Sequence, residues 1–136
     1  MGVRGLMEMT VWDFRGKHKA DSVLQLESVL SNKYAQNRNG FWLTHNDEEN
    51  LTLALLVNGD FATLYYFPRE GHPGFVPAEG LENVSEAGTT AFSIDALEQE
   101  SEIPNEQVVS FTKAVTAAKN FFESKQIPQS MKWREL

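Results

Sequence analysis

Apolar and polar residues alternate through Glu8-Met9-Thr10-Val11-Trp12-Asp13-Phe14, with Met9 and Val11 against Trp12 and Phe14. That period predicts a strand with both faces at least partly covered. A basic connection follows, carrying Arg15, Lys17 and Lys19. Ser22 then opens a helix, because Gln25 completes capping-box spacing. Val23, Leu26, Leu30 and Tyr34 recur at helical spacing and make one buried stripe. Asn37-Arg38-Asn39-Gly40 supplies the stop, since glycine reaches the left-handed conformation without a clash.

The middle of the chain reads as a meander. Phe41 to His45 and Leu51 to Val57 are apolar runs joined by Asp47-Glu48-Glu49-Asn50, and Asn58-Gly59 leads into Asp60 to Phe67. Asn-Gly between apolar runs is a strong hairpin signal, and a two-residue loop there sets Val57 against Asp60, Leu55 against Ala62, Leu53 against Leu64 and Leu51 against Tyr66. Those residues form the expected core face. The second face carries Thr52, Ala54 and Leu56 opposite Tyr65, Thr63 and Phe61. A tight turn at 47–50 puts Trp42 on the core face and His45 beside Thr52 and Tyr65 on the second.

Prolines and glycines make Pro68 to Gly80 a loop. Gly88 to Ile94 reads as a strand built on Thr90, Phe92 and Ile94. Pro104 precedes a long helix from about Glu106 to Ser124, with Val108, Phe111, Val115, Ala118 and Phe122 inward and Ala114, Ala117 and Phe121 widening the stripe. Pro128 ends that region, and Met131-Lys132-Trp133-Arg134 looks like a short closing strand. The expected fold is α+β: a mainly antiparallel twisted sheet of about five to seven strands, packed with one N-terminal helix and one long C-terminal helix. Residues 1–136 are expected to form a single domain.

Composition narrows the function. The chain has no cysteine, which excludes a disulfide framework and thiolate metal sites. No apolar stretch approaches about 18 residues, and Met1-Gly2-Val3-Arg4-Gly5 leads into no signal-type run, so the expectation is a cytoplasmic protein. A net charge of −7 disfavours nucleic acid and anionic membrane as partners and favours a basic one.

Catalytic signatures are mostly missing: there is no Gly-x-Ser-x-Gly elbow, phosphate-cradling loop or dinucleotide fingerprint. His18, His45 and His72 are far apart, and none has a partner at metal-ligand spacing, so neither a metal nor a cofactor is expected. His45 beside Thr52 and Tyr65 could form a small acid–base pocket, yet a hydrogen-bonded cross-strand row accounts for it better. Glu70 and His72, flanking Gly71, could move a proton, but a rigid surface loop is the simpler account. Charge segregation says more. From Glu70 to Thr112 there is no Lys or Arg, while Glu70, Glu79, Glu82, Glu86, Asp95, Glu98, Glu100, Glu102 and Glu106 hold nine of the nineteen acids. Such a window either keeps the surface solvated or attracts a cationic partner.

The ordered set Ile103-Pro104, Val108, Ala114, Phe121-Phe122, Pro128 and Met131-Lys132-Trp133 resembles the end of the Immunity protein 1 family of bacterial polymorphic toxin systems. Tyr65-Tyr66-Phe67-Pro68 leading into Gly71-His72-Pro73-Gly74-Phe75 is similar to its middle. The resemblance covers roughly residues 40 to 134 and brings no catalytic residue with it. It implies an antidote and not an enzyme: a protein that binds a cognate toxin domain with a basic surface, often a nucleic-acid deaminase or nuclease, and occludes its active site. Glu70, His72, Phe75, Glu79, Glu82, Glu86, Asp95, Glu98, Glu100 and Glu102 are then the expected toxin-binding residues, with Phe75, Val76 and Phe92 as apolar anchors. The alternatives are a small enzyme using Glu70 with His72, or His45, and a non-catalytic adaptor.

Overall fold

A computed structural model describes residues 8–34, 37–46, 48–78, 88–94 and 99–136, with only the backbone at 48–50. The fold is α+β, as the hydrophobic pattern predicts. Strands β1 (Met9–Asp13), β2 (Gly16–Ala20), β3 (Arg38–His45), β4 (Glu48–Asn58), β5 (Phe61–Phe67), β6 (Phe75–Pro77) and β10 (Trp133–Glu135) lie in the order β10-β6-β5-β4-β3-β1-β2, with β9 (Val109–Ser110) paired to β5. Strands β7 (Thr89–Ser93) and β8 (Glu100–Pro104) form a separate hairpin. All the pairings described are antiparallel.

Helices α1 (Val23–Leu30) and α2 (Phe111–Ser124) both cover one face of the large sheet. Leu26 and Leu30 of α1 and Ala114, Ala117, Ala118 and Phe121 of α2 are fully buried against Val11, Phe41, Leu43, Leu53, Leu55, Val57 and Leu64. This is the inner face. Ser22 caps α1 by accepting from the Gln25 N–H, as its spacing predicts. Ser110 caps α2 in the same way at Lys113.

The differences from expectation have local causes. The basic stretch after β1 is a strand, β2, whose alternate Lys17 and Lys19 are exposed. An edge strand needs few apolar residues, and lysine protects it from further pairing. Helix α1 stops at Leu30, before Tyr34. Gly40 is no helix stop but a residue of β3, where an added Cβ would lie 2.9 Å from Phe14 Cε1. The loop after Phe67 contains the short strand β6. Helix α2 begins at Phe111 instead of near Glu106, because Glu100–Pro104, a 3-10 turn at Asn105–Gln107 and β9 come first.

Register accounts for the rest. Asn58 pairs with Phe61, Leu55 with Leu64 and Leu53 with Tyr66, so the hairpin turns on Gly59-Asp60 with positive φ at Gly59 alone. This is two residues from the expected register, and a shift of two leaves every side chain on its face. The β3–β4 register differs by one, and one residue exchanges faces. Trp42 lies opposite Ala54 on the outer face, while His45, beyond a bulge, is fully buried on the inner one. Its Nε2–H donates to the Phe121 carbonyl at 2.9 Å, tying sheet to helix. The polar pocket of His45, Thr52 and Tyr65 does not form.

Candidate functional site

The face of the sheet away from the helices is covered only in part by described residues. Hairpin β7–β8 lies over Leu56, burying Phe92 and Ile103 with Val108. Asn58 Nδ2 donates to the Ala91 carbonyl at 2.9 Å, and Arg38 pairs with Glu100, which fastens the hairpin down.

Beside the hairpin, cross-strand pairing builds two rows over five strands. One runs Lys17, Trp12, Trp42, Ala54, Tyr65; the next runs Lys19, Thr10, Thr44, Thr52, Phe67. The alternation that sends Val11, Leu43 and Leu53 inward sends these side chains outward. Trp12 is 49% exposed; Trp42, Tyr65 and Phe67 are half-buried. Tyr65 and Phe67 stack with ring centres 6.1 Å apart, and Lys17 Nζ sits 5.6 Å from the Trp12 ring centre. Burial pushes the Tyr65 phenol above its ordinary pKa, so it stays neutral at physiological pH.

Among the described residues, the largest hollow on these rows, of about 480 Å³, opens at the β2 end and is lined by Thr10, Trp12, Lys17, Lys19, Thr44, His45 and Asn46. Two smaller, adjoining ones open toward β5. One, of about 210 Å³, is lined by Trp42, Ala54, Leu56, Tyr65, Phe67 and Ile94. The other, of about 240 Å³, is lined by Trp42, Thr52, Phe67, Arg69, Glu70, Gly71 and His72. The face is therefore aromatic at its centre, cationic along β2, and bordered by Arg69 beside Glu70 and by the carboxylates of the hairpin.

The expected binding residues distribute unevenly around it. Glu70 is exposed at the rim of the hollow of about 240 Å³. Glu100 and Glu102 are exposed on β8, where Glu100 pairs with Arg38 and Glu102 accepts from Thr89 Oγ1 at 2.6 Å. Glu79, Glu82, Glu86, Asp95 and Glu98 lie outside the described residues. His72 is nearly buried: its Nδ1 accepts from the Gly74 N–H and its Nε2–H donates to Glu135, both at 2.8 Å. Nδ1 thus braces the loop internally and Nε2 ties it to the C-terminal strand, so neither ring nitrogen is paired with Glu70. Phe75 stacks on His72 with centres 5.2 Å apart. Val76 and Phe92 are fully buried in the chain's own packing, which leaves neither free to anchor a partner.

Net charge marks the acids and says nothing of the aromatic rows. The signal was present in the alternation itself, which puts most of the aliphatic residues on one side of the strands and Trp12, Trp42, Tyr65, Phe67 and three threonines on the other. Among the described residues no group of three or more His, Cys, Asp or Glu side chains could hold a metal ion, and no helix is long and apolar enough to cross a membrane.

A sheet face that the described residues leave partly open, aromatic and bordered by opposite charges, suits protein binding, since aromatic side chains lose large area to a partner with little rotamer entropy. The family model of immunity protein Imm1 matches residues 15–135, and the chain belongs to that family. It is 33% identical over 124 residues to a double-stranded DNA deaminase immunity protein of Burkholderia cenocepacia (strain H111), covering 91% of this chain and 97% of the relative. The role of the chain is accordingly that of an immunity protein, which neutralises a cognate toxin.

Proposed function

We propose that the toxin is a deaminase acting on nucleic acid, and that this chain inhibits it by covering its active site from the outside. The observation that carries this reading is the similarity to a deaminase immunity protein over nearly the whole length of both chains. An enzyme that draws a base out of a nucleic acid needs a cationic channel for the backbone around the base pocket. A chain of net charge −7 with acids concentrated between Glu70 and Glu106 competes for that channel. Glu70, Glu79, Glu82, Glu86, Asp95, Glu98, Glu100 and Glu102 supply the steering charge in this proposal, and the work is done in the cytoplasm, where the toxin meets its substrate. The inhibitor performs no chemistry of its own.

The test mixes the purified chain with the toxic domain encoded beside it and follows deamination of a DNA oligonucleotide. Inhibition at one chain per toxin is expected, with an association rate that falls about tenfold or more from low to physiological salt. Glu82, Glu86, Glu98 and Glu102 changed together to Lys should slow association by a further tenfold. Glu100 is spared because it holds Arg38. A rate indifferent both to salt and to these reversals would remove the electrostatic mechanism, and an absence of inhibition would remove the function.

A further inference from the structure

We infer that the toxin seats on the two outward rows of the sheet, Lys17-Trp12-Trp42-Ala54-Tyr65 and Lys19-Thr10-Thr44-Thr52-Phe67, with its cationic channel facing Glu70 and the β7–β8 hairpin and not the lysines. The inference rests on the function proposed above and assigns its surface.

Five strands about 4.8 Å apart give about 20 Å of width, and the rows with their hollows make a patch of a few hundred Å². That is the size of the desolvated centre of an ordinary interface, which buries about 800 Å² on each side. Its composition fits as well. Trp12 and Trp42 are direct cross-strand partners, so two tryptophans stand side by side, and Tyr65 continues their row past Ala54. Tryptophan and tyrosine dominate the energetics of such centres, and the threonines beside them tolerate water in the free protein.

Charge selects the occupant. A second copy of this chain would bring another −7 against the same acids, so self-association is opposed. A partner carrying a cationic channel is attracted at Glu102, with Glu70 and Glu100 partly offset by Arg69 and Arg38, and is repelled at Lys17 and Lys19. Those two sets stand at different borders of the patch. The patch therefore has a direction, and only one way of laying a basic groove across it avoids juxtaposing like charges.

The experiment uses the full chain and the same toxic domain, with inhibition by the unaltered chain measured first. If that is absent, the function and this surface fall together. If it is present, three variants separate the two. Thr52→Arg places a bulky cation in the middle of the second row and should weaken binding a hundredfold or more. Trp12→Ala should weaken it at least tenfold. Leu24→Arg, on the helix side where Leu24 is 77% exposed, should change it less than twofold. Full inhibition by Thr52→Arg and Trp12→Ala, with loss in Leu24→Arg, would place the toxin on the helices and overturn this surface while leaving the function standing.

Thermal melts show whether each variant folds. Should Thr52→Arg fail to, oxidative footprinting of the unaltered chain decides: Trp12 should be oxidised in the free protein and protected at least fivefold in the complex. Trp12 equally protected in both, or in neither, overturns the assignment. Lys17→Glu with Lys19→Glu should raise the association rate at least threefold, because it removes the charges that repel the channel; an unchanged or falling rate would overturn the orientation.

Discussion

The inner and outer faces of this sheet are made by the same strands and are chemically unlike. Inward, Val11, Phe41, Leu43, Leu53, Leu55, Val57 and Leu64 have no solvent exposure and interlock with two helices. Outward, the same strands carry Trp12, Trp42, Thr44, Thr52, Tyr65 and Phe67, most of them half-buried and one half-exposed. Branched aliphatic side chains suit a face that is closed once and stays closed, because they pack densely in few rotamers. Aromatic and hydroxyl-bearing side chains suit a face that spends part of its life in water and part against another protein. A period-2 strand can serve both needs at once, and here the division is strong but not complete: Phe41 and Tyr66 lie inward, and Leu56 lies outward beneath the hairpin.

The sharpest way to break that comparison is to remove one large side chain from each face. Phe121 is fully buried against His45 and Tyr66, with ring centres 5.1 and 6.1 Å away. Phe121→Ala should cost about 3–5 kcal/mol through lost burial and the cavity left behind. Trp12→Ala removes a larger side chain, yet one 49% exposed, and should cost only about 1–2 kcal/mol. Urea denaturation measures both. Equal losses would mean that the outer face belongs to the folding core.

Much of this division was legible in the sequence, and the failures follow from how strands encode faces. The aliphatic set on β4 and β5 survives a two-residue error in register, because parity alone decides the side. Trp42 and His45 did not survive a one-residue error, and no short-range signal marks the bulge between Thr44 and His45. Strand β2 was hidden because Lys17, His18 and Lys19 look like a linker until an edge position explains them. Strand β8 was hidden in the same way by Glu100 and Glu102. The family resemblance identified the role of the chain, while the outward rows proposed for docking depend on pairings such as Trp12 with Trp42 and Thr52 with Phe67, to which net charge is blind.

The inner face also has a polar border, and pH can test it. Asp13 follows Met9 and Val11 on that side of β1, and its carboxylate accepts from the Tyr34 hydroxyl at 2.8 Å, from His18 Nε2 at 3.1 Å and from the Arg15 and Gly16 N–H groups. Burial alone would raise its pKa; the Tyr34, Arg15 and His18 interactions more than offset that and hold it below the usual carboxylate value. A carboxyl group lowered in the folded state stabilises the fold above its unfolded pKa of about 3.9, and that contribution is lost as pH falls through the lowered folded value. Asp13→Asn should therefore cost about 1–3 kcal/mol at pH 6, with the gap to the unaltered chain narrowing below about pH 4. A gap of constant width down to pH 2.5 would show that the charge of Asp13 is not what matters.

The smallest effect is expected where neither face is touched. Lys119 Nζ lies 2.6 Å from a Glu27 carboxylate oxygen, joining α2 to α1. Both side chains keep a third or more of their surface in water, at 33% and 44% exposed. In that setting the attraction is weak, because water screens it and two flexible chains must be held still. Lys119→Ala should destabilise the chain by less than about 1 kcal/mol, and raising salt from 0.05 to about 0.5 M should erase most of the difference. Toxin inhibition by this variant should be unchanged, since the pair joins the helices and lies apart from the outward rows. A loss of inhibition in Lys119→Ala with the fold intact would move the functional surface to the helices. The aromatic face would then be left as a second, unclosed core, and the contrast between the two sides of the sheet would lose its functional meaning.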